Sequence, residues 1–170
     1  MPEPTKTTCP YCGVGCGLLL GERGGRIVLI DPRRSETAKI AGEHVFIRPS
    51  TDALFLLGLL HEVCAIGVAL GRLEAHVKNL DVVLEIANKY PPKATESVTG
   101  VPADTVKRLA RELLDAPKAV VYGRMGASTQ EFGSLSMWLI TLLNIVTGTL
   151  DRPGGAMFTR PAVDLVATTG

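Results

Sequence analysis

The sequence predicts an α/β fold, a Rossmann-like three-layer unit with a mostly parallel sheet, preceded by a loop rich in cysteine and glycine. Short β-branched runs alternate along the chain with stretches of helical periodicity, an order typical of such folds. The first 25 residues differ from the rest, because they hold six glycines and three cysteines and show neither periodicity. A length of 170 residues suits one compact domain with a short appendage. We therefore predict two parts, a loop over residues 1–25 and an α/β domain over residues 26–170.

Turns that contain proline separate the elements predicted in the first half of the α/β domain. One β-branched run ends at the Asp31-Pro32 turn and another ends before Pro49, so both predict short buried strands. Ser50 can accept hydrogen bonds from the first turn of a following helix and is predicted as its N-cap. The predicted elements are, in order, a strand over 27–30, a short helix over 35–41, a strand over 44–47 and a helix after Ser50.

Hydrophobic periodicity defines the elements predicted in the second half. Pro102 stands at a first-turn position before an apolar face with the spacing of a buried helix, and Pro91-Pro92 is predicted to end the helix before it. The last helix is apolar nearly all round, so we expect it to be sandwiched, with Trp138 in the core. The predicted elements are a helical stretch over 73–90, a helix over 102–116, a third strand over 118–122, a loop over 123–129 and a helix over 132–146.

Composition and charge exclude several classes of protein. The 18 Lys and Arg residues nearly balance 17 Asp and Glu residues, so the chain has neither an acidic tail nor a broad face for nucleic acid. The longest apolar stretches are interrupted by polar residues and fall short of the roughly 18 uncharged apolar residues of a spanning helix, so no membrane span is expected. No export signal is visible at the N-terminus and the cysteines are clustered, so a cytoplasmic location is expected.

The most specific motif is the C-x2-C-x3-C spacing of Cys9, Cys12 and Cys16. Glycines between them let the backbone fold tightly enough for three thiolates to converge on one polynuclear iron–sulfur centre. Surface thiols without a metal are one alternative. Structural zinc is another, with a fourth ligand from one of four remaining side chains, namely His44, His61, Cys64 and His76.

Cys64 bears on whether the cluster has a fourth thiolate. It shares a helix face with Leu56 and Leu60, so packing in the core is favoured over ligation. Three thiolates can hold a [3Fe–4S] cluster, or a [4Fe–4S] cluster that takes its remaining ligand from water or another molecule. The fourth ligand stays open at this point.

Acidic and basic residues at one end of the predicted sheet suit a nucleotide. Asp31 follows the first strand, where open α/β sheets bind nucleotides and a carboxylate can accept from ribose hydroxyls. Arg33 and Arg34 suit a phosphate, and Asp52 could accept the paired N–H donors of a guanine edge. An Asp-Pro turn, solvated charges and a favourable helix start are the corresponding structural alternatives. The chain carries no G-x-G-x-x-G at this turn, so an NAD fingerprint is absent.

These motifs, in this order, resemble the molybdopterin oxidoreductase family, specifically its formate dehydrogenase and assimilatory nitrate reductase branch. The segments that carry the resemblance are 8–18 around the cysteines, 26–38, 47–53, 123–126 with Gln130, and 143–155. By position, the resemblance implies cluster ligation by Cys9, Cys12 and Cys16, nucleotide contacts from Asp31, Pro32, Arg33 and Arg34, guanine contacts from Ser50, Thr51 and Asp52, and pterin contacts from Met125 and Gln130.

The resemblance also implies an activity and its cofactors. The expected function is two-electron oxidoreduction of a small molecule such as formate or nitrate, with a molybdopterin guanine dinucleotide carrying Mo or W and with the cluster passing electrons to a carrier or a larger subunit. The chain departs from the family at Ser50, where glycine is common, and at Thr129, where glutamine is frequent. It also lacks, after Leu18, the stretch that supplies a fourth cysteine, a lysine and the metal ligand. We therefore expect an internally deleted and C-terminally truncated form with partial or weak cofactor binding, and assign no catalytic residue.

Two other functions remain open. The chain could be a non-catalytic iron–sulfur and nucleotide-binding module, or an accessory subunit that a partner completes. It could also be a zinc-stabilised α/β fragment. Metal identity separates the last from the others.

Overall fold

The computed structural model describes residues 26–157 and the backbone of two short strands nearer the N-terminus. Its strands are β1 (Thr5–Thr8), β2 (Gly17–Leu20), β3 (Val28–Ile30) and β4 (Glu43–Val45). Its helices are α1 (Glu36–Ile40), α2 (Asp52–Ile66), α3 (Leu80–Ala87), α4 (Pro92–Thr99), α5 (Ala103–Asp115), α6 (Met125–Ser128) and α7 (Gly133–Val146), with a 3₁₀ helix over Gly71–His76.

Helix α2 lies at the centre of the core and packs against α3, α4, α5 and α7. Its sequence is apolar on all sides, which is the pattern of a helix surrounded by other elements. Leu60 and Val63 of α2 and Leu139 and Leu143 of α7 are almost wholly buried. Both helices were predicted, and the centre of the domain follows directly from their composition.

The last helix is less buried than predicted. Leu139, Leu143 and Val146 pack in the core, but Phe132 and Trp138 leave 55% and 50% of their surface exposed. The prediction that Trp138 lies in the core is therefore wrong. An apolar sequence shows that a helix can be buried on every side, but the number of neighbouring elements decides how many sides are covered.

The two strands predicted in the first half form a parallel pair. Val28 pairs with Glu43 and Ile30 pairs with Val45, and Asp31 N donates to Val45 O at 3.2 Å. Val45 and Ile47 are buried against the core, because alternate side chains of a strand point to one face. The two strands are thus confirmed, with bounds shifted by one or two residues.

The predicted third strand over 118–122 is not a strand in the part of the chain that the structure describes. The side chain of Asn144 takes the place of a neighbouring strand, because its Oδ1 accepts from Val121 N at 3.0 Å and its Nδ2 donates to Val121 O at 2.8 Å. Within the described residues the fold is therefore helix-rich with a two-stranded parallel sheet, and the Rossmann-like three-layer arrangement does not form there.

The N-terminal loop is more regular than its composition indicates. Strands β1 and β2 pair antiparallel, with Thr5 opposite Leu20 and Thr8 opposite Gly17. The prediction that the first 25 residues lack strands was therefore wrong, because four-residue strands are too short to show alternation. Residues 9–16, which link the paired ends and include the three clustered cysteines, lie outside the described residues, and the boundary predicted after residue 25 stays a prediction.

Helix α4 was missed because its first residue is a proline. Pro92 occupies the first helical turn, where a missing N–H costs nothing, and Pro91 before it is extended. The predicted helical stretch over 73–90 is divided, since Asn79 takes a left-handed conformation between the 3₁₀ helix and α3. Among the described residues no helix is long and apolar enough to cross a membrane, and the cytoplasmic location stays a prediction.

Candidate nucleotide and cluster site

Asp31 directly follows β3. It lies at the edge of the sheet from which the chain also continues towards α2. Its Oδ1 accepts from Arg33 N at 2.7 Å, so one carboxylate oxygen stabilises the Asp-Pro turn. Its carbonyl oxygen lies 3.0 Å from His44 Nε2, and the His44 ring lies 4.2 Å from that of Phe46. His44, which the sequence left without a partner, thus supports the turn that carries Asp31.

The residues after Asp31 present positive charge to solvent. Pro32, Arg33 and Arg34 are exposed, and Ser35 then caps α1 by accepting from Ala38 N at 3.3 Å. The two guanidinium groups therefore stand at the carboxyl end of a parallel strand, next to a half-buried carboxylate. Arginine in such a position can pair with the oxygens of a phosphate group.

The start of α2 differs from the sequence prediction. Ser50 is exposed with a φ of 64°, and helix α2 begins at Asp52, so Ser50 lies one residue too early to be its N-cap. Thr51 is the N-cap instead, and its hydroxyl donates to Arg48 O at 2.7 Å rather than to the first turn of the helix. Asp52 is the first helical residue, where the positive end of the helix stabilises its carboxylate.

The structure brings Asp52 and Gln130 together, although the sequence placed them in separate motifs. Gln130 Nε2 donates to Asp52 Oδ2 at 2.7 Å and also to the carbonyl oxygen of Gly126. Both side chains are half-buried, whereas Met125, at the start of α6, is 43% exposed. No local pattern signals a contact between residues 78 positions apart.

The described side chains fit the nucleotide part of a dinucleotide cofactor. The parallel pairing of β3 with β4 makes Asp31 and the segment that leads into α2 leave the sheet at the same edge. Carboxylates there can accept from hydroxyl and amide donors, and the arginines can neutralise phosphate. This donor set agrees with the predicted guanosine contacts, which stay a prediction.

Of the other candidate metal ligands, Cys64 and His61 make structural contacts, and His76 is exposed. Cys64 packs against the core, and burial raises the pKa of its thiol to about 11, so it stays protonated at neutral pH. His61 Nδ1 lies 3.1 Å from Ala87 O. Within residues 26–157 no group of three or more His, Cys, Asp or Glu side chains could hold a metal. Cys9, Cys12 and Cys16 lie outside the described residues, so their ligation of a cluster stays a prediction.

Comparison with known proteins gives the family. Residues 3–44 match the model of the Molybdopterin oxidoreductase Fe4S4 domain. The F420-dependent formate dehydrogenase 2 subunit alpha of Methanococcus maripaludis is 30% identical over 137 residues, which cover 78% of this chain and 20% of that protein. The nitrate reductase of Klebsiella oxytoca is 29% identical over 133 residues, which cover 78% of this chain and 15% of that protein.

A solved structure shows the same fold. Acetylene hydratase from Pelobacter acetylenicus superposes with a TM-score of 0.62 at 20% sequence identity, over 72% of this chain and 17% of that one. The chain thus spans about a fifth or less of the length of the relatives named here. The prediction of an iron–sulfur cluster and a molybdopterin as cofactors is confirmed at the level of the family, because the matched domain model names both. The matched domain, the curated relatives and the shared fold agree, and the chain belongs to the molybdopterin oxidoreductase family.

Proposed function

We propose that this chain binds an iron–sulfur cluster and the guanosine part of a molybdopterin guanine dinucleotide, as part of a two-electron oxidoreductase. The observation that carries the proposal is the contact between Asp52 and Gln130, which joins two segments that are distant in the chain and that the family resemblance implies at the same cofactor. Names of relatives include formate dehydrogenase and nitrate reductase, so we propose a substrate of that size, such as formate or nitrate.

The nucleotide contacts follow from the chemistry of the described side chains. Asp31 keeps one carboxylate oxygen free of its turn bond, and that oxygen accepts from a ribose hydroxyl. Arg33 and Arg34 neutralise the phosphates. Asp52 accepts the two N–H donors on the edge of guanine, with the positive end of α2 favouring its charged form.

The cluster ligands we propose are Cys9, Cys12 and Cys16. Pairing of Thr8 with Gly17 holds together the two ends of the segment that carries them, which reduces the entropy lost when three thiolates converge. The bound Mo or W cofactor supplies the two-electron chemistry, while the protein binds, orients and conducts electrons to a carrier. The fourth cluster ligand stays unassigned.

Metal analysis of anaerobically purified protein tests the cluster. We expect about three to four Fe per chain, with the visible spectrum and low-temperature paramagnetic resonance of a cluster. Cys12→Ala should lose most of this iron, whereas Cys64→Ala should keep it, because Cys64 packs in the core. One Zn per chain without iron would instead establish the zinc-stabilised fragment.

A dye-reduction assay tests catalysis after loading with Mo or W cofactor. Formate-dependent reduction, or nitrate-dependent oxidation of a reduced dye, would support the oxidoreductase. The absence of turnover with any donor or acceptor, in protein shown to hold cluster and cofactor, would leave cofactor binding without catalysis.

One observation favours the second candidate, an accessory module that a larger partner completes. Phe46, Tyr122 and Trp138 each expose half or more of their surface, and a partner that packs against these side chains would bury this apolar area. Light scattering, which reports the oligomeric state, and a binding measurement with guanosine diphosphate test this candidate. A monodisperse monomer that does not bind guanosine diphosphate would contradict the accessory module.

A further inference from the structure

Gln130 uses both of its amide protons inside the protein. Its Nε2 donates to Asp52 Oδ2 at 2.7 Å and to the carbonyl oxygen of Gly126. The Asp52 carboxylate and the Gly126 carbonyl can only accept hydrogen bonds. If the Gln130 amide were rotated by 180°, its Oε1 would face these two oxygens, so the surroundings determine the orientation of the amide. The amide therefore has no proton left for a ligand while these bonds persist.

Asp52 depends on that amide for its orientation. The polar neighbour before it in the chain does not help, because Thr51 Oγ1 donates to Arg48 O. A carboxylate on a short side chain turns readily about its last torsion, which has a broad energy minimum. A hydrogen bond from Gln130 to one oxygen restricts that rotation and leaves Oδ1 and further acceptor capacity on Oδ2 for another molecule.

We propose that Gln130 is a positioning residue that sets the plane of the Asp52 carboxylate for pairing with a guanine edge. The inference rests on the proposed function, in which Asp52 accepts the two N–H donors of guanine. Bidentate pairing requires the carboxylate and the base to be nearly coplanar, so it is sensitive to rotation of the carboxylate. Gln130 therefore determines selectivity for guanine rather than affinity for nucleotides in general.

Titration calorimetry on the full chain, with guanosine diphosphate and inosine diphosphate, tests this role. Inosine lacks the 2-amino group, so it keeps only one of the two hydrogen bonds to Asp52. For the wild type we expect guanosine diphosphate to bind about tenfold more tightly, the effect of one hydrogen bond to a charged group. Gln130→Met keeps the length of the side chain but removes both donors, and should reduce the preference to about threefold or less with little change for inosine diphosphate.

A double-mutant cycle separates positioning from a general structural role. Asp52→Asn alone should abolish the preference for guanosine diphosphate over inosine diphosphate. Adding Gln130→Met to this variant should not change the preference further, because Gln130 acts through Asp52. Ser128→Ala is the matched control, since its hydroxyl donates to Met125 O at 3.4 Å in the same segment and does not contact Asp52. Circular-dichroism melts verify folding, and Gln130→Ala replaces Gln130→Met if the latter does not fold.

Two results overturn the inference in different ways. The positioning role is excluded if Gln130→Met keeps the wild-type preference for guanosine diphosphate, or if the effects of the two substitutions on that preference are additive. Either result would leave the nucleotide site intact. A wild type that binds neither nucleotide would contradict the proposed nucleotide function itself, and the role of Gln130 would fall with it.

Discussion

At the scale of single residues, Ser50 is the clearest departure from the family pattern with a physical consequence. Its φ of 64° lies in the left-handed region, which is unfavourable for a residue with a Cβ and easily adopted by glycine. The resemblance to the family had marked this position as one where glycine is common. The conformation explains the preference, since the chain must turn here between Pro49 and the start of α2.

Replacing Ser50 by glycine should stabilise the protein. We expect Ser50→Gly to raise the free energy of unfolding by up to about 1 kcal/mol and the melting temperature by roughly 2–4 °C, because relief of strain exceeds the added entropy of the unfolded chain. Ser50→Ala keeps the Cβ and serves as the control. Equal melting temperatures for the glycine and alanine variants in a calorimetric scan would contradict this explanation.

At the scale of secondary structure, Asn144 replaces a strand. It is 2% exposed on α7, and its amide bonds both backbone groups of Val121 as well as Ile140 O at 2.8 Å. The hydroxyl of Thr149 donates to its Oδ1 at 3.1 Å. The hydrogen bonds of segment 118–122 at Val121 are thus made to one side chain of a helix. The β-branched sequence of this segment predicts a strand, but no local pattern predicts that Asn144 is its partner.

Removal of the Asn144 amide should destabilise the protein strongly. We expect Asn144→Ala to cost about 2–4 kcal/mol in urea unfolding, because the partly buried backbone groups of Val121 lose their partners and a small cavity forms. Asn144→Asp, which keeps the shape but loses the donors, should also be destabilising. Thr141→Val is the control on the exposed side of the same helix and should change stability by no more than about 0.5 kcal/mol. A loss below about 1 kcal/mol for Asn144→Ala would show that Val121 has another means of support.

At the scale of the whole molecule, a charge network joins the sheet to the helical core. Arg108 of α5 pairs with Glu43 of β4 at 2.5 Å and with Glu112 at 2.9 Å, while Arg26 pairs with Glu112 at 2.9 Å and also bonds Glu43. The hydrogen bond from Arg108, which is the main cause, lowers the pKa of Glu112. For Glu43, burial opposes the two arginines, and the net effect still lowers the pKa of that carboxyl.

The network predicts a loss of stability in acid. Because the pKa of Glu112 is lowered in the folded state, its contribution is fully present above the ordinary value of about 4.5 and is lost as pH falls through the folded pKa. These side chains are partly exposed, so we expect less than about 1 kcal/mol. Urea midpoints at pH 7 and pH 3.5 should therefore differ less for Glu112→Gln than for the wild type.

A matched substitution completes that comparison. Glu131, which makes no ion pair among the described residues, supplies the control variant Glu131→Gln. It should show the same fall in urea midpoint between the two pH values as the wild type. Equal falls in all three proteins would show that the network contributes nothing measurable.

Local patterns by themselves determined a large part of this protein. The buried face of α5, the apolar helices α2 and α7, the strands β3 and β4 and the cysteine motif all follow from periodicity and residue chemistry over a few neighbours. The family follows from motif order in the same way, and the comparisons confirm it. These features can be predicted from the sequence because each depends on residues that are close together in the chain.

Only the tertiary structure decided which distant residues meet. It placed Gln130 on Asp52, gave Val121 a side chain in place of a strand, left Trp138 exposed and found partners for His44. Each of these outcomes depends on how many elements surround a residue and where backbone groups find hydrogen-bond partners, which no window of the sequence encodes. The sequence thus predicted which residues form the candidate site, and packing decided which of their side chains hold one another in place.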